Sequence, residues 1–140
     1  IRALPRFTIH LGDAADFLQR CNTRYGIIVV DTYIGDEFPD QCATQDFLRN
    51  AGKCVSDGGV LAINRLPEGA SAENHLLKNL ERIIGPVWSL PSLKSHNILY
   101  FVTAKKFEFS ELLSAAARVE SEIPFANSLK RLVQRLRRPA

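Results

Sequence analysis

The sequence predicts an α/β fold, doubly wound around a mostly parallel sheet, with an antiparallel hairpin near its C-terminal end. Three observations predict it. Short apolar runs of strand length alternate with segments of helical period, turn residues separate them, and two late strand-like runs lie a short polar loop apart.

Taken in order, "RFTIHLGD" reads as a short strand ending at Gly12-Asp13, and "AADFLQRC" as a helix opening on that turn. "YGIIVVD" is a nearly continuous apolar run, the pattern of a strand buried on both faces. "ATQDFLRNAGKCV" places Phe47, Leu48, Ala51 and Val55 at helical spacing, with Thr44 as its cap. "SDGG" reads as a tight turn into the buried strand "VLAINRL"; it has neither the lysine nor the spacing of a phosphate loop. "SAENHLLKNLERIIG" is an amphipathic helix, capped by Ser71 and stopped at Gly85. "VWSLP" and "NILYFVTAKK" pair as a hairpin through "SLKSHN", with Trp88 and Phe101 assigned to the core. Two helices follow, "SELLSAAARVESE" and the basic "SLKRLVQRL". With no repeat, low-complexity stretch or linker, residues 1–140 read as one domain, of which 110–140 are C-terminal helices.

Composition narrows the function classes. Of 140 residues, 46% are apolar and 24% charged, the balance of a globular rather than a disordered chain. No apolar run reaches membrane-spanning length, and no signal-peptide pattern opens the chain. Cys21, Cys42 and Cys54 are odd in number and show no C-x-x-C spacing, which points to a reducing cytoplasm and inert thiols rather than a disulfide frame. His10, His75 and His96 are equally scattered, so no metal-ligand pattern is present. A chain that opens on Ile1 and contains no methionine is expected to be a piece of something longer.

Charge is unevenly placed. Residues 130–138 hold five of the eighteen basic residues and no acid, so the sequence pI near 8.9 describes this tail more than the rest. An apolar stripe of Leu129, Leu132, Val133 and Leu136 runs beside those cations. Two readings follow: a terminal helix packed on the sheet, its cations suited to the helix C-terminus, or a surface for nucleic acid, anionic membrane or an acidic partner. The first is favoured, and nucleic acid is not the expected partner.

The candidate site lies at the strand ends. Ligands of open parallel sheets bind beyond the carboxyl ends of the strands, and Asp13 and Asp31 each follow a strand-like run directly. Such a carboxylate can accept from a ligand amine or hydroxyl, or act as a base when its pKa is raised; it can equally cap the next turn or helix. From Asp31 to Phe47 there are five acids (Asp31, Asp36, Glu37, Asp40 and Asp46) and no base. That loop is either an acid-lined mouth that attracts cations or a solvated surface.

The stretches "IHLGDAADFL", "YGIIVVDTYIGDEFPDQCATQDFL" and "CVSDGGVLAINRL", in that order, resemble the spermidine synthase superfamily, aminopropyltransferases and their relatives within the S-adenosylmethionine-dependent methyltransferase fold. The resemblance covers residues 7 to about 104 and is closest to the bacterial spermidine-synthase-like branch. There a strand-end aspartate precedes an aromatic, a glycine, a proline, a threonine and a phenylalanine, here Asp31, Tyr33, Gly35, Pro39, Thr44 and Phe47.

The resemblance implies a Rossmann-like methyltransferase-type sheet and transfer of an aminopropyl or methyl group to a small-molecule amine or other acceptor. It implies S-adenosylmethionine or its decarboxylated form as cofactor; no metal is expected from the scattered histidines, and a sheet edge left open by absent strands would invite pairing into a homodimer. Gly12, Asp13 and Ala14 would hold the adenine, with Asp13 accepting from its exocyclic amine. Asp31 would lie beside the sulfonium and the attacking amine, touching the cofactor and acting as the catalytic carboxylate. Thr32, Tyr33 and Asp36 would line the acceptor pocket. Two departures stand out. Ile34 occupies the position of the second aspartate of true aminopropyltransferases, which Asp36 or Glu37 would have to replace. The family's glycine-rich loop and ribose-holding acid, carried by two earlier strands in the middle of its sheet, do not occur in these residues. A relative that keeps the fold only for binding or assembly is the alternative.

Overall fold

The computed structural model describes residues 7–35, 37–123 and 128–139. Helix α1 spans Ala14–Arg20, strand β1 Tyr25–Val30, helix α2 Gln45–Cys54 and strand β2 Val55–Arg65. Helix α3 covers Ala70–Ile83, strands β3 and β4 cover Val87–Pro91 and Ile98–Val102, and helices α4 and α5 cover Phe109–Glu122 and Leu129–Arg135. The strands form one sheet in the order β1-β2-β4-β3. β1 runs parallel to β2, and β4 runs antiparallel to both its neighbours. The expected alternation of strands and helices, the hairpin and the single reversed strand near an edge are all present.

The core fills the space between one sheet face and α2 and α3. Leu48 and Ala51 of α2 and Leu76 and Leu80 of α3 are buried with Leu61 and Ile63 of β2 and Val102 of β4. Each large apolar side chain so buried contributes about 1.5–3 kcal/mol. Local chemistry sets the helix ends. Thr44 caps α2, its hydroxyl accepting from the Phe47 N–H at 3.3 Å. At the start of α4 the Glu111 carboxylate accepts from the Glu108 N–H at 3.0 Å. Gly85 ends α3 at φ 153°, where an added Cβ would lie 2.8 Å from the Thr103 carbonyl oxygen, so a side chain is excluded twice over.

Four local expectations are corrected. Residues 7–11 form no strand: among the described residues their backbone meets no ladder partner, and Leu11 is 96% exposed. β1 is not buried on both faces; among the described residues it pairs with β2 alone, and Ile27 and Val29 remain 70% and 63% exposed. Gly69, not Ser71, precedes the first residue of α3, so Ser71 lies inside the helix. The Ser56–Gly59 stretch is not a turn ahead of the strand. It is a bulge within β2, because Tyr25 pairs with Val55 and Ile27 with Val60.

Among the described residues no helix is long and apolar enough to cross a membrane. The basic C-terminal helix packs against β3: Ser89 and Arg137 exchange backbone hydrogen bonds of 2.8 and 3.0 Å. Arg138 lies over the Trp88 ring and 3.5 Å from Glu81, Lys130 pairs with Glu120 at 3.4 Å, and Arg135 donates to the Pro91 carbonyl. Trp88 is half-buried between Phe107 and Arg138, a surface-facing part of the packing rather than its centre.

Candidate functional site

Two carboxylate positions face different tasks. Asp13 is the N-cap of α1. Its Oδ1 accepts from the N–H groups of Ala15 at 2.7 Å and Asp16 at 3.2 Å, and its Oδ2 accepts from Gln41 Nε2 at 3.1 Å. Those backbone donors, Asp16 first and then Ala15, hold the carboxyl below its ordinary value. Gly12, at φ 155° and with open space around it, supplies the reversal that lets residue 13 cap the helix. An open hollow borders this turn, lined by His10, Leu11, Gly12, Asp13, Ala14 and Phe17 among others; the His10 and Phe17 rings lie 5.0 Å apart.

Asp31 follows β1 and is exposed, and Asn64 Nδ2 donates to its Oδ1 at 2.9 Å. Asn64 lies at the C-terminal end of β2, and its Oδ1 accepts from Asn97 Nδ2 at 3.0 Å. The same Asn97 amide donates to Tyr33 Oη at 3.2 Å, and Tyr33 Oη donates to the Asn64 carbonyl at 3.3 Å. Because a carboxylate only accepts, Asn64 must present its NH2 to Asp31 and its oxygen to Asn97, which orients both amides. Burial, and then the Asp31 charge, raise the Tyr33 pKa, so the phenol keeps its proton and can donate.

The loop that carries Tyr33 is fastened from below by Arg65, the last residue of β2 and only 3% exposed. Its guanidinium lies 5.0 Å over the Phe38 ring, 3.1 Å from Glu68 and 3.2 Å from Glu73. Removing one member of such a buried pair would leave the other charge uncompensated. Glu73 also approaches the Tyr100 phenol; burial first, and then Glu73, push that phenol far above its ordinary value.

The structure therefore brings Asp31 and Tyr33 into one network and sets Gly12, Asp13 and Ala14 together at a separate turn. Thr32 points elsewhere: its hydroxyl donates to Cys42 Sγ at 3.5 Å. Asp36 lies outside the described residues. Asn64, Asn97 and Arg65 were missed in the sequence. Asn64 follows an apolar run as Asp31 does, a signal that was available; Asn97 reaches the site only because the hairpin folds back, which no local pattern announces. Among the described residues no group of three His, Cys, Asp or Glu side chains is placed to hold a metal.

For an adenine, the chemistry at Asp13 fits. One lone pair of Oδ2 is satisfied by Gln41, and a carboxylate oxygen can accept a second donor such as an exocyclic amine. Exposed apolar Leu11 and the aromatic Phe17 beside it offer surface to a flat ring.

No protein-family model and no curated protein matches the chain. Solved structures do. Human methyltransferase-like protein 13 in complex with SAH superposes with a TM-score of 0.69 at 18% identity, over 93% of this chain and 60% of that one. A probable spermidine synthase from Corynebacterium glutamicum superposes with a TM-score of 0.68 at 17% identity, over 95% of this chain and 53% of that one. The chain thus spans little more than half the length of either structure. What the likeness shows is the fold: a methyltransferase-like α/β arrangement shared with a methyltransferase-like protein and a spermidine synthase-like one.

Proposed function

We propose that this chain carries the acceptor side and the adenine end of a transferase that moves an aminopropyl or methyl group from an S-adenosylmethionine-type sulfonium to an amine or other nucleophile. The observation that carries the reading is the convergence of Asp31, Tyr33, Asn64 and Asn97 at the carboxyl ends of β1 and β2, where open α/β sheets bind ligands. When bound, the sulfonium donor supplies an activated carbon and leaves as a neutral thioether.

The chain's own residues would do the rest. Gly12, Asp13 and Ala14 hold the adenine, with Asp13 Oδ2 accepting from its amine. Asp31, fixed through Oδ1 by Asn64, has no partner at Oδ2 among the described residues and accepts a proton from the incoming nucleophile. Asp31 would take that proton as the nucleophile bonded to the transferred carbon and the thioether left. Tyr33, kept protonated, donates to the acceptor and walls the pocket; Glu37 and Asp40 add negative potential that favours a cationic amine. Thr32 and Asp36 belong to the same loop, and Thr32 contributes through its anchor on Cys42 rather than by direct contact.

Calorimetric titration of the chain with S-adenosylmethionine, decarboxylated S-adenosylmethionine and methylthioadenosine tests the donor. Turnover with labelled donor and a panel of amines tests the acceptor. Asp31→Asn is expected to lower turnover by about 100-fold or more, on the scale of general-base catalysis, with an unchanged melting temperature. Unchanged turnover would remove Asp31 from the reaction, and no binding of any of the three ligands would remove the reading itself. The alternative of a binding module acting through the basic helix is not favoured, because Lys130, Arg135 and Arg138 are engaged within the chain.

A further inference from the structure

A pair of thiols sits where α1 and α2 end side by side. Cys21 is the C-cap of α1, half-buried, and Cys54 is the last residue of α2, fully buried. Cys54 Sγ lies 3.8 Å from the carbonyl oxygens of both Leu18 and Cys21, so it points into the end of α1. Cys21 Sγ lies 3.8 Å from Tyr25 Oη and 3.5 Å from the Thr23 carbonyl oxygen. The third cysteine, Cys42, is buried elsewhere, beside Thr32.

We propose that Cys21 and Cys54 are a redox pair that a hydroperoxide converts into an internal disulfide joining the C-terminal ends of α1 and α2. The two thiols divide the work by environment. A backbone hydrogen bond at Thr23 holds the Cys21 pKa below its ordinary value, whereas burial pushes that of Cys54 up. Cys21, the accessible one, is therefore the attacking thiolate. Its sulfur takes one oxygen from the peroxide, the O–O bond breaks, and Cys21 becomes a sulfenic acid while hydroxide leaves. The Cys54 thiol gives up its proton, and its sulfur then attacks Cys21 sulfur and displaces the hydroxyl as water. In total two thiols and one hydroperoxide give one disulfide, one water and the reduced peroxide. The inference does not depend on the transferase reading.

Trypsin separates the three cysteines, because Arg20, Arg24, Arg49, Lys53 and Arg65 place them in peptides 21–24, 25–49 and 54–65. Treat the full chain with hydrogen peroxide, quench with an alkylating reagent and map the peptides. The expected product is a bridge between peptides 21–24 and 54–65, lighter than the reduced pair by two hydrogens, with Cys42 reduced. Cys21→Ser, at a half-exposed position, should abolish the bridge and leave Cys54 reduced. Cys42→Ala should leave the bridge intact. Oxygen accumulating on Cys21 with no bridge, a bridge to peptide 25–49, or disulfides formed only between two chains would each overturn the proposal.

Discussion

At the β3 edge of the sheet, Ser89 exchanges two backbone hydrogen bonds with Arg137, and Trp88 is covered by Phe107 and Arg138. At the β1 edge, the apolar side chains of Ile27 and Val29 stand exposed, and among the described residues the strand pairs on one side only. Both strands are apolar and both run in the same direction in the sheet. The difference lies in what crosses them: one edge is finished by a segment that follows it in the chain, and the other, among the described residues, has ladder groups without a partner, of the kind that template pairing. Apolar sequence makes a strand, but a neighbour makes it buried.

Mutations grade this contrast. The largest effect is expected at the finished edge. Leu90→Ala in β3, a nearly fully buried position, should cost about 3 kcal/mol in urea denaturation; a loss below about 1 kcal/mol would put the two edges on equal footing. Next comes Thr44→Ala, which removes the α2 cap and should cost about 1 kcal/mol, with the loss localised to the first turn of α2 in amide exchange. Replacing Ile27 and Val29 together with Thr should change stability by no more than about 0.5 kcal/mol while reducing self-association in concentration-dependent sedimentation. A larger destabilisation would mean that the β1 face is covered in solution.

The smallest effect belongs to the other helix cap. The Asp13 carboxyl is held below its ordinary value by the Asp16 and Ala15 N–H groups, so its contribution is complete above the unfolded-state pKa and is lost as pH falls through the lower folded one. Exchange protection of the Ala15 and Asp16 amides should therefore drop on acidification, while that of Phe47, capped by the neutral Thr44 hydroxyl, should not. Equal responses would show that the carboxylate charge adds nothing to the cap.

Element order was readable because helical and strand periods alternate cleanly from Ala14 to Val102, and because "SLKSHN" can only be a short loop. Residues 7–11 carried a strand-like alternation of Phe7, Ile9 and Leu11 with polar residues, yet a strand is a relation between two segments, and composition cannot supply the second. The same reason hides the burial of β1. At the site, Asp31 was visible because a charge ending an apolar run is costly unless it is used or solvated. Asp13 was visible too, but its cap and its ligand reading looked alike until Ala15, Asp16 and Gln41 were placed around it. Asn97 and Arg65 reach the Asp31 loop from far along the chain, Arg65 through Phe38 and Asn97 through Tyr33, and sequence separation erases such contacts from any local pattern.

The reversed strand has a consequence for synthesis. β3 is made before β4 but makes its ladder bonds in the sheet only with β4, which stands between it and β2. A nascent chain that ends at Leu93 therefore lacks the strand on which the place of β3 in the sheet depends. The outer half of the sheet cannot be completed until residues 98–102, which bridge β3 to β2, have been made.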